Sequence, residues 1–354
     1  MAGRFALSTL EEAARGPLYR DDTAPTFAEG PRMTEIPTET LVTVFGGSGF
    51  LGRHVVRALA RQGYRIRNAV RRPDLAGHLQ PLGRVGQIQS VQANLRYPAS
   101  IVAAVRDADV VINLVAILFE RGKQRFAAVQ AEGANQVALA AAARGARLIH
   151  VSALGANADS LSLYARTKAA GEAAVLGASP DATIFRPSVL FGPEDDFFNR
   201  FASMARISPV LPLVGGGETR FQPVFVGDVA RAILAAVEGK AKGGTIYELG
   251  GPEVKTFKAL MEYVLAVTER RRLLVPLPFA LARLQARFLQ FLPKPPLTPD
   301  QVELLRSDNV VSDAAIREGR TLDALGIEGA AMEAIVPSYL WRFRKTGQFR
   351  GRVA

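Results

Sequence analysis

In the middle of the chain, short continuous apolar runs alternate with stretches in which apolar residues recur at helical spacing. Short runs of about four to eight mostly apolar residues predict buried strands, and they lie at 41–45, 64–70, 88–91, 109–116, 147–152, 182–186 and 245–249. Between them, apolar residues recur with helical spacing, as in the alanine-rich stretch 127–143. Such alternation predicts an α/β fold with a doubly wound parallel Rossmann sheet.

The first predicted strand ends in a turn rich in glycine. Gly46, Gly49 and Gly52 have the spacing G-x-x-G-x-x-G, and Gly47 with the last two also satisfies G-x-G-x-x-G. Between a strand and a helix, such a turn lets the backbone approach a pyrophosphate, whose charge then lies at the positive end of the helix dipole. The spacing alone is a weak signal, but its position favours dinucleotide binding over a chance glycine turn.

The residues after the second predicted strand indicate which dinucleotide binds. An acidic side chain there binds the ribose 2′-hydroxyl of NAD, whereas an arginine suits the 2′-phosphate of NADP. Here the acid is missing, and Arg71 and Arg72 follow the strand. Because a guanidinium grips phosphate with two hydrogen bonds, we expect NADPH as the cofactor. The alternative is that both arginines are solvated loop charges.

A tyrosine and a lysine four residues apart follow the fifth predicted strand. Helical spacing places Tyr164 and Lys168 on one face, where the ammonium group is expected to lower the pKa of the phenol from about 10 toward neutral pH. A phenol of this kind can donate a proton to a reducible carbonyl. Helices contain such pairs by chance, so the signal depends on the position after the fifth strand.

The pattern changes near residue 252, which predicts two folded parts. We expect a Rossmann domain over 40–251, with an excursion at 194–222, and a smaller, mostly helical C-terminal lobe over 252–354. Two helices are expected before residue 272. Residues 1–39 are rich in Pro, Thr, Glu and Asp and predict a flexible extension, with Met33 as an alternative start.

The segment 279–292 has the pattern of a basic amphipathic helix, with Arg283, Arg287 and Gln290 on one stripe and Phe and Leu over much of the rest. Such a helix lies on a lipid surface or docks on a partner, or else it packs inside the lobe. A basic tail follows from Ser338, in which Trp341 and Phe343 interleave with arginines. No nucleic-acid-binding motif accompanies these charges, so we expect no nucleic-acid partner.

Charge and composition narrow the function classes. The net charge is +11, and residues 1–40 carry four Arg against seven Asp and Glu, so the other 314 residues carry +14. A basic body suggests an anionic partner, or simply a soluble basic protein. With no Cys and three dispersed His, we expect no disulfide, iron–sulfur cluster or metal site. No stretch is apolar enough for a transmembrane helix, and the seven acidic residues within 1–40 argue against a mitochondrial presequence.

Together these features resemble the extended and atypical short-chain dehydrogenase/reductase superfamily, and within it the family of NADPH-binding accessory subunits of respiratory complex I. The likeness runs from about Val42 to Thr346. The stretches that carry it are 45–53, 110–114, 149–152, 186–187, 191–195, 201–204, 222–226 and the proline-broken region 276–296.

The resemblance implies a tightly held, structural NADPH on a subunit of the complex I peripheral arm near the membrane, which the segment 279–292 would contact. Since no presequence is recognised, we expect the subunit on the cytoplasmic face of a bacterial inner membrane, with the matrix side of the mitochondrial inner membrane as the alternative. The implied cofactor residues are Gly46, Ser48, Gly49, Phe50, Leu51, Gly52, Arg71, Val115, Lys168 and Pro187. The implied catalytic pair is Tyr164 and Lys168.

Two departures from the superfamily pattern concern the site. Asn94 stands where many extended reductases have Asp, which removes one expected adenine contact. The register leaves open whether Ser152 or Leu154 occupies the position of the serine that polarises a substrate carbonyl. The sequence therefore favours a cofactor that is bound but not turned over, with an active NADPH-dependent reductase, epimerase or dehydratase and an NADP(H) redox sensor as alternatives.

Overall fold

The computed structural model describes residues 38–293 and 295–347. Its strands are β1 (Leu41–Phe45), β2 (Arg65–Val70), β3 (Ile88–Gln92), β4 (Val110–Asn113), β5 (Arg147–Val151), β6 (Thr183–Pro187), β7 (Leu190–Phe191), β8 (Val210–Val214), β9 (Arg220–Phe221), β10 (Val224–Phe225), β11 (Ile246–Leu249), β12 (Lys255–Thr256) and β13 (Leu273–Leu277). Its α-helices are α1 (Phe50–Arg61), α2 (Pro98–Val105), α3 (Glu132–Arg144), α4 (Leu163–Ala178), α5 (Phe198–Ile207), α6 (Val226–Val237), α7 (Phe257–Val267), α8 (Phe279–Leu289), α9 (Pro299–Leu304), α10 (Asp313–Arg317), α11 (Met332–Ile335) and α12 (Pro337–Leu340).

A seven-stranded sheet in the order β11-β6-β5-β4-β1-β2-β3 confirms the predicted Rossmann architecture. All of its neighbouring strands are parallel. The chain runs outward from β1 to β3 and then crosses to β4 on the other side of β1. The strand order therefore reverses between β1 and β4, which is where sheets of this kind bind ligands.

Helices cover both faces of the sheet, which explains why its strands are almost continuously apolar. On one face, α1 and α6 pack through residues such as Val55, Leu59 and Ile233. On the other face, α2, α3 and α4 contribute Ile101, Val137 and Val175. Strands buried on both sides lose the polar alternation of a half-exposed strand, as the sequence pattern predicted.

A second apolar cluster joins the excursion at 194–222 to later residues. Phe198 on α5 packs with Phe257 and Met261 on α7 and with Leu340 on α12. The excursion also supplies strand partners, since β8 pairs with β13 and β9 with β12. The excursion therefore packs with the predicted C-terminal lobe, and the domain boundary near residue 251 stays a prediction.

Several element boundaries differ from the expectation. One α-helix, α7, lies between residues 252 and 272, so the prediction of two helices there is wrong. The helix predicted over 279–292 ends at Leu289, and the helix at 127–143 begins with a π-helical turn, Ala127–Ala131. Most of the flexible extension predicted over 1–39, and the end of the basic tail, lie outside the described residues. Within the described ranges, no helix is long and apolar enough to cross a membrane.

Candidate functional site

The glycine turn between β1 and α1 forms the centre of the candidate site. Gly46 has φ +83°, in the left-handed region that favours glycine, and its N–H donates to the carbonyl oxygen of Ala69 at 3.1 Å. The turn closes where the N–H of Gly49 donates to the carbonyl oxygen of Gly46 at 3.0 Å. Gly49 is the N-cap of α1, and no side chain caps this helix end.

Two glycines of the turn are required by close backbone contacts. A Cβ on Gly52 would lie 2.3 Å from the carbonyl oxygen of Gly46 and 2.6 Å from the backbone of Gly47. A Cβ on Gly47 would lie 2.3 Å from Oδ1 of Asn68 on the neighbouring strand. Helix α1 therefore packs directly on the turn, and its first N–H groups face the carboxyl end of β1.

This helix end fits an anionic group. Its first turn has no acidic side chain, and no side chain caps the N–H groups there, so they can bind a ligand. Ser48 is half-buried within the turn, while the side chain of Leu51 belongs to the apolar core. Leu51 can thus offer only its backbone to a ligand. Phe50, at the helix start, makes an edge contact with His54 at 5.9 Å between ring centroids.

The end of β4 lies against the glycine turn. The side chain of Val115 covers Gly46, at 3.2 Å from the place where a Cβ of that glycine would stand. The N–H of Val115 donates to Oδ1 of Asn113 at 3.1 Å, and the amide nitrogen of Asn113 lies 3.3 Å from Nδ1 of His150. The structure thus brings two predicted cofactor residues, Gly46 and Val115, together across the switch between β1 and β4.

Sequence reasoning missed His150, a buried polar side chain. Burial, and secondarily the charge of Lys168, lower the pKa of His150 to about 3, so this imidazole is neutral near pH 7. Its Nε2 has no hydrogen-bond partner in the part of the chain that the structure describes. The available signal was a histidine inside an otherwise apolar strand.

The two arginines after β2 have different surroundings. Arg72 forms an ion pair with Asp74, at 2.8 Å between NH2 and Oδ2. Arg71 is the residue directly after the strand, is exposed and has no hydrogen bond or ion pair with the described residues. Of the two, Arg71 is the one whose guanidinium is open to a phosphate at this edge.

Helix α4 begins with a capped turn and carries the tyrosine–lysine pair. The Oγ of Ser162 accepts from the N–H of Ala165, which fixes the helix start just ahead of Tyr164. The Nζ of Lys168 donates to the carbonyl oxygen of Val151 at 3.2 Å and lies 5.9 Å from the centroid of the Tyr164 ring. As predicted from their spacing, the two side chains share one face.

The expected lowering of the tyrosine pKa is wrong. Burial of the phenol, and secondarily the charge of Asp300, raise the pKa of Tyr164 to about 12. Burial lowers the pKa of Lys168 to about 8, against an opposing effect of Glu172. The charge of the lysine favours the phenolate, but removal from water, which disfavours the ionised form of both groups, has the larger effect.

Residues after β5 and β6 meet beside this pair. The N–H of Leu154 donates to the carbonyl oxygen of Pro187 at 3.0 Å, and the Leu154 side chain packs with Val311 and Ala315. Ser152 is buried, and its Oγ has no partner among the described residues. For the position of the polarising serine, the structure thus offers a buried hydroxyl on Ser152 and an apolar side chain on Leu154.

Five predicted site residues lie at the carboxyl ends of strands or within two residues of them. They are Gly46 after β1, Arg71 after β2, Val115 beyond β4, Ser152 after β5 and Pro187 at the end of β6. Phe50, Leu51 and Gly52 begin α1, and Tyr164 and Lys168 lie on α4. The predicted site residues thus gather at one edge of the sheet. Asn94, after β3, uses its Oδ1 to accept from the N–H of Arg96 at 3.2 Å.

A buried ion cluster lies further along α4 and was also missed. Arg186 donates to Glu172 through Nε at 2.9 Å and NH2 at 2.6 Å, and its NH1 lies 3.5 Å from Glu248. The hydrogen bonds to Glu172 raise the pKa of Arg186. This cluster borders a groove of about 660 Å³, which none of the predicted cofactor residues lines. The ion cluster joins α4, which carries Glu172, to β6, which carries Arg186.

Residues 42–250 match the sequence model of the NAD dependent epimerase/dehydratase family. The chain is also similar to the mitochondrial NADH dehydrogenase [ubiquinone] 1 alpha subcomplex subunit 9 of Arabidopsis thaliana, at 37% identity over 87% of this chain and 79% of that protein. It is similar to a ceramide reductase of Caulobacter vibrioides at 38% identity, over 55% of this chain and 60% of that protein.

Solved structures share the fold at low identity. An NADPH-dependent quinone oxidoreductase of Escherichia coli, complexed with NADPH, has a TM-score of 0.67 at 19% identity and covers 85% of this chain and 99% of its own. A dTDP-glucose 4,6-dehydratase of Streptomyces venezuelae, with NAD bound, has a TM-score of 0.65 at 18% identity and covers 87% of this chain and 98% of its own.

Proposed function

The chain belongs to the NAD dependent epimerase/dehydratase family, and from that premise we propose that it is an accessory and assembly subunit of respiratory complex I that holds NADPH as a structural cofactor. The observation that carries the proposal is the extent of the similarity to a complex I subunit. That similarity spans 321 residues, whereas the family model spans 42–250, so it includes sequence outside the dinucleotide-binding part.

The geometry supports NADPH at the switch between β1 and β4. The uncapped N–H groups at the start of α1 would hold the pyrophosphate, with Gly46 and Gly49 leaving room for it. Arg71 would hold the 2′-phosphate, because its guanidinium is open while that of Arg72 is engaged by Asp74. Val115, Lys168 and Pro187 would complete the site. When bound, NADPH offers hydride chemistry at its nicotinamide.

The surroundings of Tyr164 favour retention of the cofactor without turnover. A phenol whose pKa is about 12 is protonated near pH 7 and has little tendency to give its proton to a carbonyl and remain as phenolate. Leu154, two residues beyond Ser152, turns an apolar side chain toward Val311 and Ala315 rather than a hydroxyl toward a substrate. Both features suit a binding role.

The outer face of α8 suits contact with a membrane surface. The helix buries Ala282 and Ala286 against the protein, and it leaves Leu284 52% and Phe288 71% exposed. Arg283, beside them, is 61% exposed. Exposed apolar side chains next to arginines, on a body with a charge of +14, match an anionic lipid surface. We therefore propose that α8 rests on the membrane next to the peripheral-arm subunits.

We place the protein on the cytoplasmic face of a bacterial inner membrane, where the peripheral arm of complex I would lie. The matrix face of the mitochondrial inner membrane is the alternative, and the mitochondrial relative supports it. The two locations present the same geometry to α8, namely the surface on the arm side of the membrane.

A second candidate function is an NADPH-dependent reductase. The similarity to a ceramide reductase favours it, because that enzyme shares 38% identity over 195 residues. In this case Tyr164 and Lys168 would act on a carbonyl, and Tyr164→Phe would abolish NADPH oxidation. A panel of carbonyl substrates, including long-chain ceramide precursors, separates this candidate from the structural role.

The deciding experiment is purification of the native protein from membranes, followed by mass spectrometry of the proteins that accompany it and of the nucleotide released on heating. The proposal expects complex I subunits and about one NADPH per chain. Elution alone from a high-speed supernatant contradicts the subunit role. A preparation that releases no pyridine nucleotide and binds none contradicts the cofactor.

A further inference from the structure

Asp300 on α9 contacts the first turn of α4, the helix that carries Tyr164 and Lys168. We infer that Asp300 is a positioning residue that couples the cofactor helix α4 to α8 and α9, so that NADPH occupancy and the order of the α8 surface depend on each other. The inference rests on the proposed function, since it takes NADPH as the ligand of α4. It adds a connection between the cofactor site and the surface proposed to meet the membrane.

The contact is made by one carboxylate on three donors. Its Oδ2 accepts from Oγ of Ser162 at 2.8 Å and from the N–H of Tyr164 at 3.3 Å, and its Oδ1 accepts from the N–H of Leu163 at 2.6 Å. The two backbone N–H groups are orphan donors of a helix start, at the positive end of the dipole of a 16-residue helix. Ser162 in turn caps Ala165, so Asp300 holds the cap itself as well as the turn.

Asp300 belongs to a unit that includes the exposed helix. Ala282 and Ala286 of α8 pack with Val302 of α9, all fully buried. Arg283 of α8 lies 3.5 Å from Glu303 of α9. We call these two helices with their connecting residues, 279–293 and 295–304, the α8–α9 unit. Because its helices are packed and ion-paired, a shift of one displaces the other.

The part of α4 that carries Lys168 is linked to the sheet. Lys168 donates to Val151 at the carboxyl end of β5. The neighbouring residue His150 contacts Asn113, whose Oδ1 holds the N–H of Val115 over the glycine turn. The path from the α8–α9 unit through α4 to the candidate NADPH site thus consists of neighbouring contacts, and Asp300 makes the polar contact between the unit and α4.

Coupling of this kind is reciprocal. If NADPH steadies α4, then the donors that Asp300 holds are fixed, and the α8–α9 unit is held more firmly in turn. Conversely, loss of the Asp300 contact frees the first turn of α4 and weakens NADPH binding. The expected factor is about five, at the lower end of couplings between distinct sites.

Hydrogen–deuterium exchange of the full chain, with and without saturating NADPH, tests the inference. In the wild-type protein, NADPH should slow exchange in 279–293 and 295–304 about five-fold. In Asp300→Ala, exchange of this unit should be fast with or without NADPH, and the Kd for NADPH should rise about five-fold. Asp300→Asn, which keeps one acceptor oxygen, should give intermediate values and serves if the alanine variant does not fold.

Thr298→Ala is the matched control. Thr298 caps α9 through a reciprocal pair with Gln301 and is not among the donors or acceptors of α4, so its loss loosens the same helix without cutting the Asp300 contact. In Thr298→Ala, exchange of the α8–α9 unit should be faster than in the wild type, and NADPH should still slow it. The inference is overturned if NADPH does not slow exchange of the α8–α9 unit in the wild type, or if NADPH still slows it in Asp300→Ala. A protein that binds no NADPH removes the proposed function and this inference with it.

Discussion

Lys168 and Tyr164 share one face of α4 with the ammonium nitrogen 5.9 Å from the centre of the phenol ring, yet the ammonium donates its hydrogen bond to the backbone of Val151. The Lys168 side chain is therefore anchored on β5 by this hydrogen bond. Burial shifts their pKa values in opposite directions, raising that of Tyr164 to about 12 and lowering that of Lys168 to about 8.

The pKa of Lys168 predicts a pH dependence of stability. Burial holds the folded-state pKa at about 8, below the unfolded value of 10.5, so the unfolded chain binds more protons between these values. This lysine should therefore increase the free energy of unfolding as the pH rises from 8 to 10.5, by at most about 1.4 kcal/mol per pH unit. Lys168→Met should lose this slope in urea denaturation, whereas the exposed-site control Lys258→Met should keep it. Parallel curves for wild type and Lys168→Met would show that the pKa of this lysine is not lowered in the folded protein.

Arg71 should decide between the two dinucleotides. Removing a charge-assisted contact to phosphate costs about 1.5–3 kcal/mol, so Arg71→Ala should weaken NADPH binding at least about ten-fold and leave NADH nearly unchanged. Arg72→Ala is the control, because Arg72 is engaged by Asp74. Fluorescence titration with both nucleotides measures the ratio. Equal losses for NADPH and NADH would remove the reason for choosing the phosphorylated cofactor.

Gly52 should tolerate no side chain. The Cβ of Gly52→Ala would lie 2.3 Å from the carbonyl oxygen of Gly46, so helix and turn must separate, and we expect lost nucleotide binding with a destabilisation of about 1–3 kcal/mol. Gly177→Ala on α4 meets open space and should stabilise by up to about 1 kcal/mol through helix propensity. Thermal unfolding and NADPH titration of both variants check this. Normal binding by Gly52→Ala would mean that the turn is not the cofactor cradle.

Glu172 should contribute to stability far more than a surface acid. Glu172→Gln breaks the buried pair with Arg186, for which we expect a loss of about 3 kcal/mol, since Glu248 remains as a weaker partner. Glu262→Gln, whose partner Lys258 is 4.0 Å away on an exposed helix face, should cost less than about 0.5 kcal/mol. Urea denaturation gives both values. Similar losses for the two variants would argue against a structural role of the buried cluster.

Phe288 and Leu284 should hold the protein on lipid. Each buried apolar side chain of this size contributes about 1.5–3 kcal/mol, so Phe288→Ser and Leu284→Ser should each reduce binding to anionic vesicles about ten-fold without changing the unfolding temperature. Ile316→Ser on α10, which removes a side chain that is 58% exposed, is the control and should bind as the wild type does. Sedimentation with vesicles measures the effect. Unchanged binding by both α8 variants would point to a protein partner for this face.

Local pattern was enough for the sheet and the glycine turn. Strand β1 and the start of α1 lie where apolar runs and glycine spacing placed them, because periodicity and backbone freedom act within a few residues. The same patterns were less informative for short elements. The second helix expected before residue 272 does not form; that stretch holds α7 and the short strand β12, which pairs with β9 from an earlier part of the chain.

The sequence by itself determined the alternation of strands and helices, the turn at Gly46, Gly49 and Gly52, and the shared face of Tyr164 and Lys168, since each follows from spacing along a strand, turn or helix. Only the tertiary structure decided the pKa of Tyr164 and the contact of Asp300 with Ser162, 138 residues away. Removal from water and contact between distant segments depend on what packs around a side chain, and no local spacing contains that information.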